Sequence, residues 1–243
     1  MAANFYESAK ALSEYLLFHY GPPVSRELDF PVRCVTETVD PARLPRDARA
    51  LDLGCAVGRS AFELARRCRE VVAIDNSAAF IAAAKKIRDR GSLKFSYAVE
   101  GDITKTAVAR APRGLKRDRV QFAVGDAMKL PAELGVFDVV LMANLIDRLP
   151  DPRRCLQQLP RLVAPSGQLI IASPYTWLEA YTPRRHWLGG RGGVRTFDAL
   201  RQILAPHFKF VRRLDVPFVI REHARKYQLG ISEATLWTRK NSR

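Results

Sequence analysis

The chain has 243 residues, 47% of them hydrophobic and 27% charged. These ordinary globular figures exclude disordered, collagen-like and disulfide-scaffold classes and leave room for one large core. Forty Lys and Arg against 25 Asp and Glu give a formal charge of +15, a field that favours phosphate- or carboxylate-bearing partners.

In chain order, the start carries acidic and polar residues such as Glu7, Ser8 and Lys10, where a secretory leader would place a charged segment and an apolar run. No apolar stretch is long enough to cross a bilayer, so a cytoplasmic protein without membrane contact is expected. Residues 1–47 read as a helical cap. Arg49–Leu53 is a strand that enters a Gly-bearing turn and a helix to about residue 67, and 71–75 is a strand feeding the Ala-rich helix Ala78–Arg90. Residues 101–119 are basic, contain Pro112 and Gly114, and read as an insertion or mobile loop. Val120–Val124 and Phe137–Ala143 are further buried strands, followed by the helix Pro152–Leu162, the turn Pro165-Ser166-Gly167 and the strand 168–173.

Residues 181–195, with Pro183, Trp187 and four glycines, read as a lid-like loop. A helix over 197–204 precedes two β-rich runs, 208–219 and 234–238, expected to pair antiparallel at a sheet edge. The pattern predicts one α/β domain: a Rossmann-like, doubly wound sheet of about seven strands, mostly parallel with an antiparallel edge strand. Within it, 48–180 form a cofactor-binding core and 181–243 the lid loop and sheet-closing edge.

Cys34, Cys55, Cys68 and Cys155 form no C-x-x-C pair and have no histidine at zinc spacing, so neither a metal site nor a disulfide is expected. The strongest local signal is Leu51-Asp52-Leu53-Gly54-Cys55-Ala56-Val57-Gly58-Arg59, a strand ending in a tight turn that opens a helix. Gly54 lets a ligand approach the backbone without a Cβ in the way. Asp75 ends the next strand 75 − 54 = 21 residues later, the spacing at which a carboxylate accepts ribose hydroxyls. The pair implies an adenosine-bearing ligand. Ala56 and Arg59 occupy positions where a dinucleotide fingerprint needs glycine or a small residue, which disfavours a dinucleotide.

Gly125-Asp126-Ala127 after one strand and Phe137–Ala143 followed by Asn144 resemble the later motifs of class I S-adenosylmethionine-dependent methyltransferases. The resemblance implies S-adenosylmethionine as cofactor and S-adenosylhomocysteine as product. The implied cofactor contacts are Gly54, Cys55, Ala56, Arg59, Asp75, Asn76, Asp126, Ala127 and Asn144, with Asp126 at the adenine amino group.

A narrower resemblance runs over nearly the whole chain. Tyr6-Glu7-Ser8 to Tyr20-Gly21, Ala50 to Ser60, Ala143 to Leu149, Ser173-Pro174-Tyr175-Thr176-Trp177-Leu178-Glu179 and Asp215 to Glu222 are similar to the methyltransferase part of ovothiol synthases. That family methylates the imidazole π-nitrogen of 5-thiohistidine, and standalone relatives act on 5-selenohistidine in ovoselenol biosynthesis. The iron-dependent sulfur-inserting half has no counterpart in this sequence, so a separate chalcogen-inserting enzyme is expected to supply the histidine-derived substrate. Sulfur and selenium are not distinguished.

In-line methyl transfer depends on holding sulfonium and nitrogen close and aligned in a dry pocket. Arg221 or Arg148 is placed to clamp the substrate carboxylate, and Asp147, Glu179 or Glu222 to take its ammonium. Tyr6, Tyr20, Tyr175 and Trp177 are expected walls, with Asn144 beside the substrate. Asp147 is the first choice of base, with Tyr175 and His223 as further catalytic candidates. His186 is a weaker candidate, whereas His19 and His207 read as packing or surface residues.

The charge motivates one rival, a nucleic-acid methyltransferase. It is disfavoured because the basic residues are spread along the chain and Ala143-Asn144-Leu145-Ile146 replaces the Asn/Asp-Pro-Pro-aromatic tetrapeptide of amino-directed base methyltransferases. The other rival is a catalytically idle cofactor-binding partner subunit.

Overall fold

The computed structural model describes residues 5–22 and 25–241; the parts of the expected cap at 1–4 and 23–24 lie outside the described residues. Seven strands form one sheet: β1 (Arg49–Leu53), β2 (Glu70–Asp75), β5 (Val120–Val124), β6 (Phe137–Ala143), β7 (Val163–Ser173), β8 (Phe208–His223) and β9 (Lys226–Arg239). Their order is β5-β2-β1-β6-β7-β9-β8. The first five are parallel, β9 runs antiparallel to β7, and β8 is antiparallel to β9. This is the expected mostly parallel, doubly wound sheet with an antiparallel edge.

The central strands are near-continuous apolar runs because helices cover both faces. Ala50, Leu51, Val71, Ala73, Val139, Val140, Leu141 and Met142 are all fully buried. On one face lie α3 (Arg59–Leu64) and α4 (Ala78–Arg90), joined by α1 (Ala9–Tyr20); on the other lie α5 (Pro152–Leu162) and α6 (Thr196–Leu204). Local chemistry marks the helix ends. The Ser77 hydroxyl accepts from the Phe80 N–H and starts α4, and Gly91, left-handed at φ +77°, ends it. The Asp151 carboxylate accepts from the Arg154 N–H to start α5. Chain order reverses at β1, whose neighbours are β2 and β6, and the crevice beyond the carboxyl ends of those strands is where such sheets bind ligands.

Three expectations need correction. Residues 101–119, read as an insertion or mobile loop, are a loop only from 111 to 116: β3 (Ser92–Glu100) and β4 (Ile103–Arg110) form an antiparallel hairpin turning at Gly101, φ +51°. Its β-branched and aromatic residues alternate, and the basic composition hid that alternation. The edge pair is also longer than expected, because β8 and β9 stay paired out to His223 and Lys226. Beyond the sheet, Val216 and Phe218 pack with Phe30 and Cys34 of α2 (Phe30–Thr36), alongside Phe18. Lastly, the 181–195 loop is pinned. The buried Thr182 hydroxyl donates to the Leu149 carbonyl, the Trp187 indole N–H donates to the Thr182 carbonyl, and Leu188 is buried. Smaller differences are that α3 ends at Leu64 and that the turn at Pro165 falls inside β7.

All four cysteines are free and buried. Among the described residues no group of three metal-ligating side chains occurs, and no helix is long and apolar enough to cross a membrane.

Candidate active site

A cavity of about 290 Å³ opens at the switch point. One half is made by the ends of the parallel strands. Gly54, at φ +80°, turns the chain after β1, and a Cβ there would come within 3.0 Å of the Leu145 side chain. The N–H groups of Gly54 and Cys55 both donate to the Ile74 carbonyl, tying the turn to β2. Asp75 closes this arrangement by accepting from the Ala56 N–H and the Ser77 N–H, each at 2.9 Å. Each carboxylate oxygen keeps a second lone pair for a hydroxyl donor. Burial pushes the Asp75 carboxyl upward, against those N–H groups.

Asn76, Asp126 and Ala127 line the same half, and the Asp126 carboxylate accepts from the Met128 N–H at 2.8 Å. At the end of β6, Asn144 adopts φ +53°, its N–H donating to the Ala172 carbonyl and its side-chain oxygen accepting from the Ser232 hydroxyl. This left-handed conformation at a non-glycine residue is held by contacts from two strands.

Asp52 is the residue the sequence reading missed. It sits within β1, 1% exposed, lines the cavity, and leaves its Oδ2 with no hydrogen-bond partner among the described residues. Burial, then the nearby Asp75 charge, push its carboxyl up to about 8 despite the Ala61 N–H. An acid within a strand buried on both faces was the available signal, because such a group persists only where something offsets its desolvation.

The other half is aromatic. Tyr6, Tyr15, Phe18, Phe80 and Tyr181 line it together with Ile220 from β8. Tyr6 packs edge-on to Tyr15 and Phe80 and tilts against Tyr181. The N-terminal turn carrying Tyr6 is seated on α4: the Ser77 hydroxyl donates to the Tyr6 carbonyl, and the Glu7 carboxylate accepts from the Ala78 and Ala79 N–H groups. Burial pushes the Tyr6 phenol up to about 12, so it stays protonated at neutral pH.

Arg148 is the one Lys or Arg among the described cavity-lining residues. Its guanidinium lies 5.1 Å from the Tyr181 ring centroid and donates to the Asp147 carboxylate and the Thr176 carbonyl, each at 2.9 Å.

Several expected site residues lie elsewhere. Asp147 is fully buried and does not line the cavity; its Oδ2 accepts from the Thr176 N–H and from Arg148, so it acts on the site by holding Arg148. Burial raises its carboxyl pKa, and Arg148 opposes the rise. Tyr175 donates its hydroxyl to Glu233 at 2.8 Å, and Tyr20 donates to the Val57 carbonyl at 2.7 Å; each braces the site from behind. Arg59 turns its side chain to Glu63.

Trp177 stacks on Trp187 and donates to Thr196, and Glu179 is exposed on the surface. Arg221 lies over the Tyr97 and Tyr227 rings, and His223 accepts from the Arg225 N–H at the tip of the β8–β9 ribbon. The overhanging ribbon explains both: its inward-facing Ile220 meets the cavity, and the alternating register turns Arg221 outward. His186 pairs with Asp151, 3.5 Å away, outside the cavity. His19, read from the sequence as a packing or surface residue, lines the cavity.

A methyltransferase-domain family matches residues 44–187. Norajmaline N-methyltransferase of Rauvolfia serpentina is 27% identical over 61% of this chain and 43% of its own length. Magnesium-protoporphyrin O-methyltransferase of Rhodobacter capsulatus is 36% identical over 59% of this chain and 57% of its own. The chain thus spans about half the length of these relatives. A solved S-adenosylmethionine-dependent methyltransferase from Methanosarcina mazei shares the fold, with a TM-score of 0.56 at 18% identity over 83% of this chain and 96% of that one.

The chain belongs to the methyltransferase-domain family. Its cofactor is S-adenosylmethionine, and the residues present fit that molecule. The unpartnered Asp52 oxygen suits a cationic amino-acid end, and Asp75 retains acceptors for a ribose.

Proposed function

We propose that this protein methylates a ring nitrogen of a small, planar, carboxylate-bearing molecule, and that the acceptor is a 5-chalcogeno-histidine, 5-thiohistidine or 5-selenohistidine. The observation that carries the reading is the make-up of the cavity wall. Three carboxyl groups, Asp52, Asp75 and Asp126, a set of aromatic rings and the single guanidinium of Arg148 line one cavity. A flat ring fits between aromatic faces, and Arg148, whose guanidinium lies over the Tyr181 ring, offers a cation for one carboxylate. Arg148 is the one Lys or Arg on the cavity wall among the described residues, too little for a phosphate backbone, which disfavours a nucleic-acid acceptor.

The resemblance to ovothiol synthases supports the narrower reading through position. Its stretches supply Tyr6 and Tyr15, Gly54, Asn144 and Arg148, and Ile220 of the cavity wall. The 173–179 stretch supplies the Thr176 N–H and carbonyl that fix Asp147 and Arg148.

S-adenosylmethionine supplies an electrophilic methyl group. The chain's own work is positioning. Asp75 and Asp126 hold the nucleoside, Asn144 and Gly54 shape the turn beside the methionine end, and Arg148 with the aromatic wall aligns the acceptor ring and excludes water. Asp147 lies outside the wall, so it serves as a positioning residue for Arg148 and not as a base.

The test is a mass measurement on pure protein incubated with S-adenosylmethionine and 5-thiohistidine, 5-selenohistidine or histidine. A gain of one methyl group on a ring nitrogen of either chalcogen compound, and none on histidine, supports the proposal. Cofactor binding without turnover of either compound overturns it and favours an idle binding subunit.

A further inference from the structure

We propose that His19 is a specificity-determining residue of the cofactor site: its Nε2–H reads the carboxylate of the amino-acid end of S-adenosylmethionine. The inference rests on that molecule being the donor, and it assigns a role to a side chain that the chemistry above leaves unused.

His19 lies near the end of α1, is 8% exposed and lines the cavity. Its Nδ1 accepts from the backbone N–H of Arg59, at 3.4 Å, in the first turn of α3. A nitrogen that accepts carries no proton, so the neutral ring holds its hydrogen on Nε2. Burial, assisted by the Arg59 charge, lowers the imidazole pKa to about 3, so the ring is neutral across the physiological range. Tyr15 and Phe18 flank it at ring-centroid distances of 6.0 and 5.2 Å. No described residue accepts from Nε2. Nε2 is not one of the buried unpartnered atoms, so this donor is open at the cavity wall and can meet an acceptor on a ligand in place of water.

The complementary group is nearby in the fold. Asp52 has an unpartnered oxygen, rests on the Ala61 N–H, and lines the same cavity. His19 and Asp52 are therefore anchored on amides two residues apart, Arg59 and Ala61, with Ser60 in the wall between them. An α-amino-acid end presents an ammonium and a carboxylate on one carbon. A bare acid suits the first and a bare N–H the second.

Being neutral, His19 binds the carboxylate without adding a positive charge near the sulfonium, as an arginine would. It also keeps the two amino-acid ends apart, since the acceptor's carboxylate has the guanidinium of Arg148.

The experiment compares S-adenosylmethionine with decarboxylated S-adenosylmethionine, which keeps the ammonium, sulfonium and nucleoside but lacks the carboxylate. The intact protein should favour the former, and His19→Phe should reduce that preference by about tenfold or more, the scale of a hydrogen bond to a charged group. His19→Gln, whose amide can accept from Arg59 and donate onward, should recover most of it. An unchanged preference in His19→Phe, or equal weakening of both ligands, overturns the proposal.

A nitrogen-15 NMR measurement on the unmutated protein covers the case of a poorly folded variant. The His19 Nε2–H resonance should shift with S-adenosylmethionine and not with the decarboxylated form, and identical shifts overturn the proposal. If the intact protein binds neither ligand, the donor assignment itself fails, an outcome distinct from these.

Discussion

Cofactor binding should release a proton at Asp52. In the free protein its carboxyl titrates at about 8, so at pH 7 about one-tenth of molecules carry it ionised. A cationic amino-acid end beside the unpartnered oxygen favours the ionised form. Binding at pH 7 should therefore release most of a proton, and affinity should rise several-fold as pH climbs from about 7 toward 8, then level off. Calorimetric titration with S-adenosylhomocysteine in phosphate and in Tris at pH 7 reads the released proton as a difference in apparent enthalpy. Asp75 is also pushed upward by burial, so the Asp52→Asn variant isolates the contribution of Asp52. Equal enthalpies in the two buffers for the unmutated protein would refute the reasoning, as would an Asp52→Asn variant that releases as much as the parent.

The same group sets a trend in the ligand-free protein. Folded Asp52 keeps its proton to about 8 while the unfolded chain releases it near 3.8, so its stabilising contribution is lost as pH rises through that window; thermal melting should show Asp52→Asn flattening the slope between pH 5 and about 8. Asp75→Ala should weaken S-adenosylmethionine binding about 10- to 100-fold with circular dichroism unchanged, and undiminished affinity would remove its ribose role. Arg148→Lys keeps a cation beside Asp147 but loses the fork, so acceptor KM should rise about tenfold while cofactor affinity stays within about twofold; steady-state kinetics with both substrates varied separates the two. Gly58→Ala places a Cβ 2.6 Å from the Phe122 ring at φ +87°, and chemical denaturation should show a loss of about 1–3 kcal/mol.

The sheet was legible because its central parallel strands are buried on both faces, and their apolar runs at 49–53, 71–75 and 137–143 leave no other reading. The turn at Gly54 and the carboxylate at Asp75 were legible for a different reason: both answer a steric or hydrogen-bonding demand at a fixed strand end. The β3–β4 hairpin escaped because alternation interrupted by lysines and arginines looks like a polar loop. The acceptor wall escaped because it is assembled from segments far apart in the chain. Nothing local distinguishes Tyr15 and Tyr181, which face the cavity, from Tyr20 and Tyr175, which brace it from behind. His19 and Asp52 were passed over because a lone histidine on a helix and one acid in a strand acquire meaning only when burial removes their partners.

The charge division in the cavity wall sits inside a protein whose outer surface carries a large excess of the opposite sign. At long range, where only the summed charge is felt, the molecule gathers anions; at contact, the inner acids select a cation. The proposed acceptor, with its carboxylate, would be steered toward the protein by a field that added salt weakens within a Debye length. The cationic donor is retained by groups too sheltered for salt to reach. Ionic strength thus becomes a way to slow the arrival of one reactant while leaving the residence of the other in place.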